Sequence, residues 1–394
     1  MYPLLKGVRV LDLTAIILGP FATQILGDLG AEVIKVEPPE GEGMRPIAPV
    51  TAGLSAVFAN NNRNKRSVVL DLKSAAGRKA LAHLVPTADI FVHNMRQKAM
   101  DKLGFGFDAV RALNPRAIYA AAVGFGSKGR YAGKPAFDDV IQAASGFAGL
   151  FEVRDGVPIY APSIAADKVS GLHLVYAVLA ALFHRERTGE APGYIEVPMY
   201  EAMAAFNLCE HLGAATFEQD GKVGYQRVMS TDRRPYATSD GWVGVLPYST
   251  AAWIRMLKEI GRADIIAEPW FQDVTERSRR VDQLYAVLAE ALKTRTTKEW
   301  LEILERLDIP SQPVRRPADL LSDPHLDDVG FFTTSFAADT PVVRTLRQPV
   351  TVDGVTKEPD VPPPLLGADT AAVLREAGLA EADIAAALDV KAAK

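Results

Sequence analysis

Strand-like and helix-like segments alternate through residues 8–125, and that order leaves few folds open. "VRVLDLT" (8–14) reads as a strand, and "FATQILGDLG" (21–30) as a short helix ending at Gly30. "AEVIKVEPP" (31–39) is a second strand, stopped by Pro38 and Pro39. "SVVLDL" (67–72) is a third, followed by a helix over roughly 75–85. "ADIFVHN" (88–94) and "AIYAAAVGF" (117–125) are further strands with a helix-like segment between them. Strands separated by helices pair in parallel, because each crossover returns the chain to the edge from which it started. The expected class is therefore α/β with a mostly parallel sheet.

The chain has 394 residues, enough for two cores. A long helix is expected over 168–187, with Val169, Leu172, Tyr176, Leu179 and Phe183 as its packing face. Its apolar run "GLHLVYAVLAALF" (171–183) is short for a bilayer and reads as a buried helix. The polar stretch 218–234 reads as a crossing into a second domain. That domain opens on a hairpin-like "YATSDGWVGVLP" (236–247) and continues in helices near 250–261, 277–293 and 297–307. A helical tail covers 370–388. The net charge of -4 gives no electrostatic footprint for nucleic acid or an anionic membrane. The single cysteine, Cys209, excludes an internal disulfide, fits a reducing cytoplasm and reads as a core residue of its helix. The N-terminus does not read as a signal peptide, because Lys6 and Arg9 interrupt its apolar run.

Two stretches bear on chemistry. "GFGSKG" (124–129) has the G-x-G-x-x-G spacing of a dinucleotide loop. Such a loop opens a helix whose N-terminus receives the pyrophosphate. Here "RYAGKPAF" follows, with Gly133 and Pro135, so an extended loop is expected. The second stretch is "SIAADKVSGLHL", in which Asp167 immediately precedes the long apolar helix. Asp167 is either an N-cap or a nucleophile kept ionised by the N–H groups of the helix start. The six histidines show no metal-ligand spacing, and no metal is expected.

Over nearly its whole length the chain resembles the family III CoA-transferases. The resemblance rests on "LKGVRVLDLT" with "GPFATQILGDLGAEVIKVEPP", "NNRNKRSVVLDLKSAAGRKAL" and "ADIFVHNMRQKAMDKLGF". It continues through "NPRAIYAAAVGFGSKGRYAGKPAFDDVIQAASG", "ADKVSGLHLVYAVLAALFHRERTGEAPGYIEVPMYEA" and "PPLLGADT". It implies that Asp167 is the catalytic carboxylate and that Gly124, Phe125 and Gly126 form a loop beside a CoA thioester, its backbone N–H groups being candidates for the oxyanion. It also implies CoA contacts at Ile16, Ile17, Leu70, Lys73, Asn94, Met95 and Lys102. No permanently bound cofactor is implied; coenzyme A enters as acyl-CoA substrate, with a small carboxylic acid as acceptor.

The resemblance implies a Rossmann-like large domain (1–200, completed by 335–394) and a smaller α+β domain (225–330), with linkers at 201–224 and 331–334. It further implies an interlocked homodimer. Pro38 stands where relatives often carry an arginine, and the glycine run that formyl-CoA transferases carry in the small domain is missing. Acyl-CoA racemases share the fold, but carry a histidine base where this chain has Phe137. A racemase or epimerase, and a catalytically silent CoA-binding protein, are the alternatives. Asp138 and Asp139 read as a helix-start pair, and Arg227, Arg233 and Arg234 as candidates for a distal substrate carboxylate.

Overall fold

A computed structural model describes residues 1–335, 341–359 and 361–389. The rest of the expected 335–394 completion lies outside the described residues. The chain divides into two compact units, one of residues 1–147, 160–206 and 324–394, the other of 148–159 and 207–323.

The first unit is built on a six-stranded sheet. In chain order its elements are β1 (Arg9–Leu13), α1 (Leu18–Asp28), β2 (Glu32–Glu37), β3 (Lys65–Val69) and α2 (Ala75–Leu84). They continue with β4 (Ile90–His93), α3 (Gln97–Leu103), β5 (Ile118–Val123), α4 (Asp138–Ala144), α5 (Ala165–Thr188) and β6 (Ile195–Pro198). The strand order is β3-β2-β1-β4-β5-β6, and every pairing is parallel. Both faces of the sheet are covered, as parallel sheets require. Val10, Val33, Ile90 and Ile118 point into a core with α1 and α5. Their neighbours Leu11, Ile34, Phe91 and Tyr119 point into a second core. That second core also takes Val373, Leu374 and Ile384 from the C-terminal helices Thr370–Glu376 and Glu381–Leu388.

The edge strand β3 is closed by the C-terminal segment. Ser67 N–H donates to Asp369 Oδ2 (2.9 Å), Asp369 N–H returns to Ser67 O (3.0 Å), and Val69 N–H donates to Thr370 Oγ1 (3.0 Å). The "PPLLGADT" stretch thus satisfies backbone groups that an open edge would present for aberrant pairing.

α5 departs from expectation in start and in orientation. It begins at Ala165, and Leu174, Val175, Val178, Ala181 and Leu182 form its buried face. Leu172, Tyr176 and Phe183 are 52%, 58% and 68% exposed. The helix is apolar on both sides, so periodicity alone does not choose the inward one. By length and composition α5 meets the test for a membrane span, yet its inner face packs as a core helix. Gly171 permits that packing: a Cβ there would stand 2.9 Å from Leu18 O, so α5 lies close against the first turn of α1.

The second unit holds a three-stranded antiparallel sheet in the order Ser311–Pro313, Trp242–Val245, Tyr236–Ala237. Helices Thr250–Glu259, Val281–Leu292 and Thr297–Arg306 pack with it around Trp253, Phe271, Tyr285 and Trp300. Thr296 and Glu299 form a reciprocal capping box at the start of the last of these helices. Cys209 is exposed, not packed in a core, because the helix that carries it is apolar beyond the face it buries.

Candidate active site

In this strand order the connections leave β1 and β4 in opposite directions, so a crevice opens beyond their carboxyl ends. The turn after β1 (14–17) and the residues after β4, Asn94 and Met95, stand there. They are tied together: Ala15 N–H donates to Asn94 Oδ1 (3.0 Å), and Asn94 Nδ2 donates to Ala15 O (2.7 Å). Both ends of the Asn94 amide are thus engaged within the protein, which makes Asn94 a latch on the β1 turn. Ile16 is half-buried beside it, with φ at +74°. Ile17 and Leu70 are buried, Leu70 within the second core. Met95 packs against the second core. Lys73 and Lys102 are exposed, Lys73 beyond the carboxyl end of β3 and Lys102 in the last turn of α3.

The glycine loop follows β5, and no helix forms until Asp138, so it is not a dinucleotide loop. Its glycines answer to the chain's own packing. A Cβ on Gly124 would stand 2.4 Å from the Ala136 Cβ, and one on Gly126 2.3 Å from Glu201 Oε1. Gly126 N–H donates to Glu201 Oε1 (3.0 Å) and Ser127 N–H to Glu196 Oε1 (2.8 Å). The Gly126 N–H must therefore leave Glu201 before it can serve an oxyanion. Phe125 is buried between the rings of Tyr131 and Tyr200, each with its centroid 5.5 Å away.

Asp167 is the third residue of α5, not the residue before it. The N-cap position is Ile164, which makes no capping bond. The expected cap is supplied from another helix: Asp167 N–H donates to Asp138 Oδ1 (3.0 Å). Asp138 opens α4 and is itself steadied by Gln142, whose Nε2 donates to Asp138 Oδ2 (2.5 Å) and to Ser163 O (3.2 Å). The Asp167 side chain makes no hydrogen bond or ion pair among the described residues and is only 7% exposed. Burial, and then the neighbouring Asp138 carboxylate, raise its pKa to about 7. The helix start is expected to hold Asp167 ionised, but desolvation outweighs that field. A cavity of about 380 Å³ adjoins this corner, lined by Asp138, Asp139, Tyr160 and the 161–164 turn.

Asp138 is the residue that sequence reasoning undervalued. Its place in a helix-start pair was legible, but its bond to the first turn of α5, 29 positions away, had no local signal. The arginines proposed for a distal carboxylate lie in the second unit, where Arg227 stands over the Tyr248 ring at 5.2 Å.

Comparison with known proteins bears on this arrangement. The family described as CoA-transferase family III matches residues 5–370. The probable fatty acyl-CoA transferase Rv3272 of Mycobacterium tuberculosis is 36% identical over 315 residues, covering 76% of this chain and 80% of that protein. The formyl-CoA:oxalate CoA-transferase of Escherichia coli O157:H7 is 31% identical, covering 97% of each. A crystal structure of an aspartate-to-alanine mutant of Rv3272 superposes with a TM-score of 0.81 at 31% identity, covering 93% of this chain and 97% of that one.

Proposed function

The chain belongs to CoA-transferase family III, and on that footing we propose that it moves CoA from an acyl-CoA donor to a carboxylic acid with Asp167 as nucleophile. The resemblance read from the residues is borne out across residues 5–370. The observation that carries the mechanism is a buried carboxylate with neither hydrogen bond nor counter-ion among the described residues, poised at a helix start. A group kept there without a partner costs stability, which a reactive role explains and a capping role does not.

The ionised Asp167 attacks the thioester carbonyl, the C–S bond breaks, and CoA leaves as thiolate, giving a mixed anhydride. The thiolate attacks the Asp167 carbonyl of that anhydride and releases the donor as a carboxylate. Asp167 is then a thioester of CoA. The acceptor carboxylate attacks that thioester and expels the thiolate, forming a second anhydride. Thiolate attack on the acceptor carbonyl completes the product and returns Asp167 as carboxylate. Each step exchanges one activated acyl bond for another, so no single barrier carries the whole change. In this reading the exposed Lys73 and Lys102 serve as cations for the CoA phosphates, and Ile16 as an apolar contact.

Phe137 leaves an α-proton exchange without its second base, which favours transfer over racemisation. The silent-binder reading required Asp167 as a cap, and Asp138 makes that bond. Relatives named for oxalate, mesaconate and glutarate support a short dicarboxylic acid as acceptor. The exposed Leu172, Tyr176 and Phe183 support burial of α5's outer face in a homodimer, and the lone cysteine supports a cytoplasmic setting.

The test is trapping. Incubation with donor acyl-CoA and no acceptor, followed by hydroxylamine, should convert Asp167 to its hydroxamate and inactivate the enzyme. Peptide mass analysis that finds Asp167 unmodified in an inactivated sample would overturn the assignment.

A further inference from the structure

Ile16 is the point of greatest backbone strain in the crevice. Its φ of +74° puts a β-branched residue in the left-handed region, where such side chains are outliers. Strain of this kind persists only where surrounding groups over-determine it. Here the N–H groups of three successive residues are each taken. Thr14 N–H donates to Asp12 Oδ1 (2.9 Å), Ala15 N–H to Asn94 Oδ1 (3.0 Å) and Ile16 N–H to Glu42 Oε2 (2.9 Å).

Glu42 is unusual among these partners. Its side chain is 1% exposed, and the same Oε2 also accepts from Met44 N–H (3.1 Å). Its Oε1 has no hydrogen bond, only the ammonium of the fully buried Lys35 at 3.5 Å. Lys35 Nζ in turn donates to Thr14 O (2.9 Å), so one buried ion pair grips the turn at both Thr14 and Ile16. The loop that carries Glu42 is anchored as well. Glu42 N–H donates to Glu37 Oε2 (3.2 Å), and Glu37 is held by Arg45 through Nε (2.6 Å) and Nη2 (2.5 Å). Gly43 leaves room for the Ile16 side chain, whose Cδ1 would be 3.1 Å from any Cβ placed there.

We infer that Glu42, backed by Lys35, is a positioning residue that holds Ile16 in its left-handed conformation and so presets the wall of the acyl-CoA crevice. This rests on the reading that the crevice takes CoA. With three of its four N–H groups engaged, the turn meets a ligand chiefly through the Ile16 side chain and not as an anion cradle. A preset apolar wall lets CoA bind without first ordering the turn. Without Glu42 the turn relaxes toward negative φ and the Ile16 side chain leaves its place.

The experiment is a double-mutant cycle read by calorimetric titration with CoA, together with steady-state kinetics. Glu42→Gln keeps an amide oxygen but loses the Lys35 ion pair that aims it at Ile16, and should weaken CoA binding about tenfold, which is about 1.4 kcal/mol. The loss should appear in KM for acyl-CoA, with kcat at saturation within about threefold of wild type. In an Ile16→Gly background, where positive φ costs nothing, the same Glu42→Gln change should weaken binding by less than about threefold. If Glu42→Gln fails to fold, Glu42→Asp keeps a charge for Lys35 but falls short of the Ile16 N–H, and the same cycle applies. An unchanged affinity in a folded Glu42 variant overturns the inference. So does an equal loss in both backgrounds, since Glu42 would then act without Ile16. Wild-type protein that does not bind CoA would instead sink the functional reading, and the inference with it.

Discussion

Asp167→Asn separates chemistry from stability, because the structure gives the two opposite signs. The wild-type carboxyl has its pKa raised from 3.8 to about 7 by burial and by Asp138. Between those values the folded protein holds a proton that the unfolded chain has lost. Stability therefore falls as pH rises from about 4 to about 7, and the whole penalty is present above that window. Three pH units at 1.36 kcal/mol each come to about 4 kcal/mol. Asparagine has nearly the same shape and no charge to desolvate. Urea denaturation at pH 8 should find the variant more stable than wild type, by up to about 4 kcal/mol, and at pH 4 the two should agree within about 1 kcal/mol. Transfer should fall below about one-thousandth of wild type while CoA still binds, because an amide cannot form the anhydride. Full activity in the Asn variant would refute the nucleophile. A variant less stable than wild type at pH 8 would refute the desolvation account.

Asp138→Asn keeps an acceptor oxygen for the Asp167 N–H but removes the like charge, so the Asp167 pKa should fall. The pH profile of kcat/KM, which should rise through about pH 7 in wild type, should move to lower pH; an unmoved limb would show that burial alone sets the value. Lys65→Met should destabilise the first unit by about 3–5 kcal/mol in urea, because it strands a fully buried Asp12 carboxylate 3.1 Å from the lost ammonium. Adding Asp12→Asn should recover much of that loss, and a double variant no better than the single would argue against the pair.

The elements of the first unit were legible because each strand is a short apolar run closed by proline, glycine or a polar turn. β2, stopped before Pro38, and β4, before Asn94, fall within a residue or two of expectation. What the pattern could not supply was direction. α5 carries apolar residues on two faces; of the expected face Val169 and Leu179 pack against the first core, whereas Leu172, Tyr176 and Phe183 are exposed, because burial depends on a neighbour the periodicity does not name. The start of α5 was placed three residues late because the capping oxygen comes from Asp138, not from a residue beside the helix. The buried charges were illegible for the same reason. Lys35 and Lys65 look like ordinary alternating charges in β2 and β3, yet both are fully buried, and they meet Glu42 and Asp12 only once the sheet has formed.

The glycine motif shows how a shared fold separates from a shared ligand. The strand order β3-β2-β1-β4-β5-β6 is that of dinucleotide-binding proteins, and in them the glycines follow β1, where the pyrophosphate meets the start of α1. Here the turn after β1 reads Thr14-Ala15-Ile16-Ile17, and its first three N–H groups are bonded to Asp12, Asn94 and Glu42. An anion cradle needs several free N–H groups and no Cβ in the way, whereas three of this turn's four N–H groups are taken and each of its residues carries a Cβ. The G-x-G-x-x-G spacing instead follows β5, where Gly124 and Gly126 make room for Ala136 and Glu201. The same spacing thus serves close packing within the chain. The two requirements look identical in sequence because both ask only that a Cβ be absent.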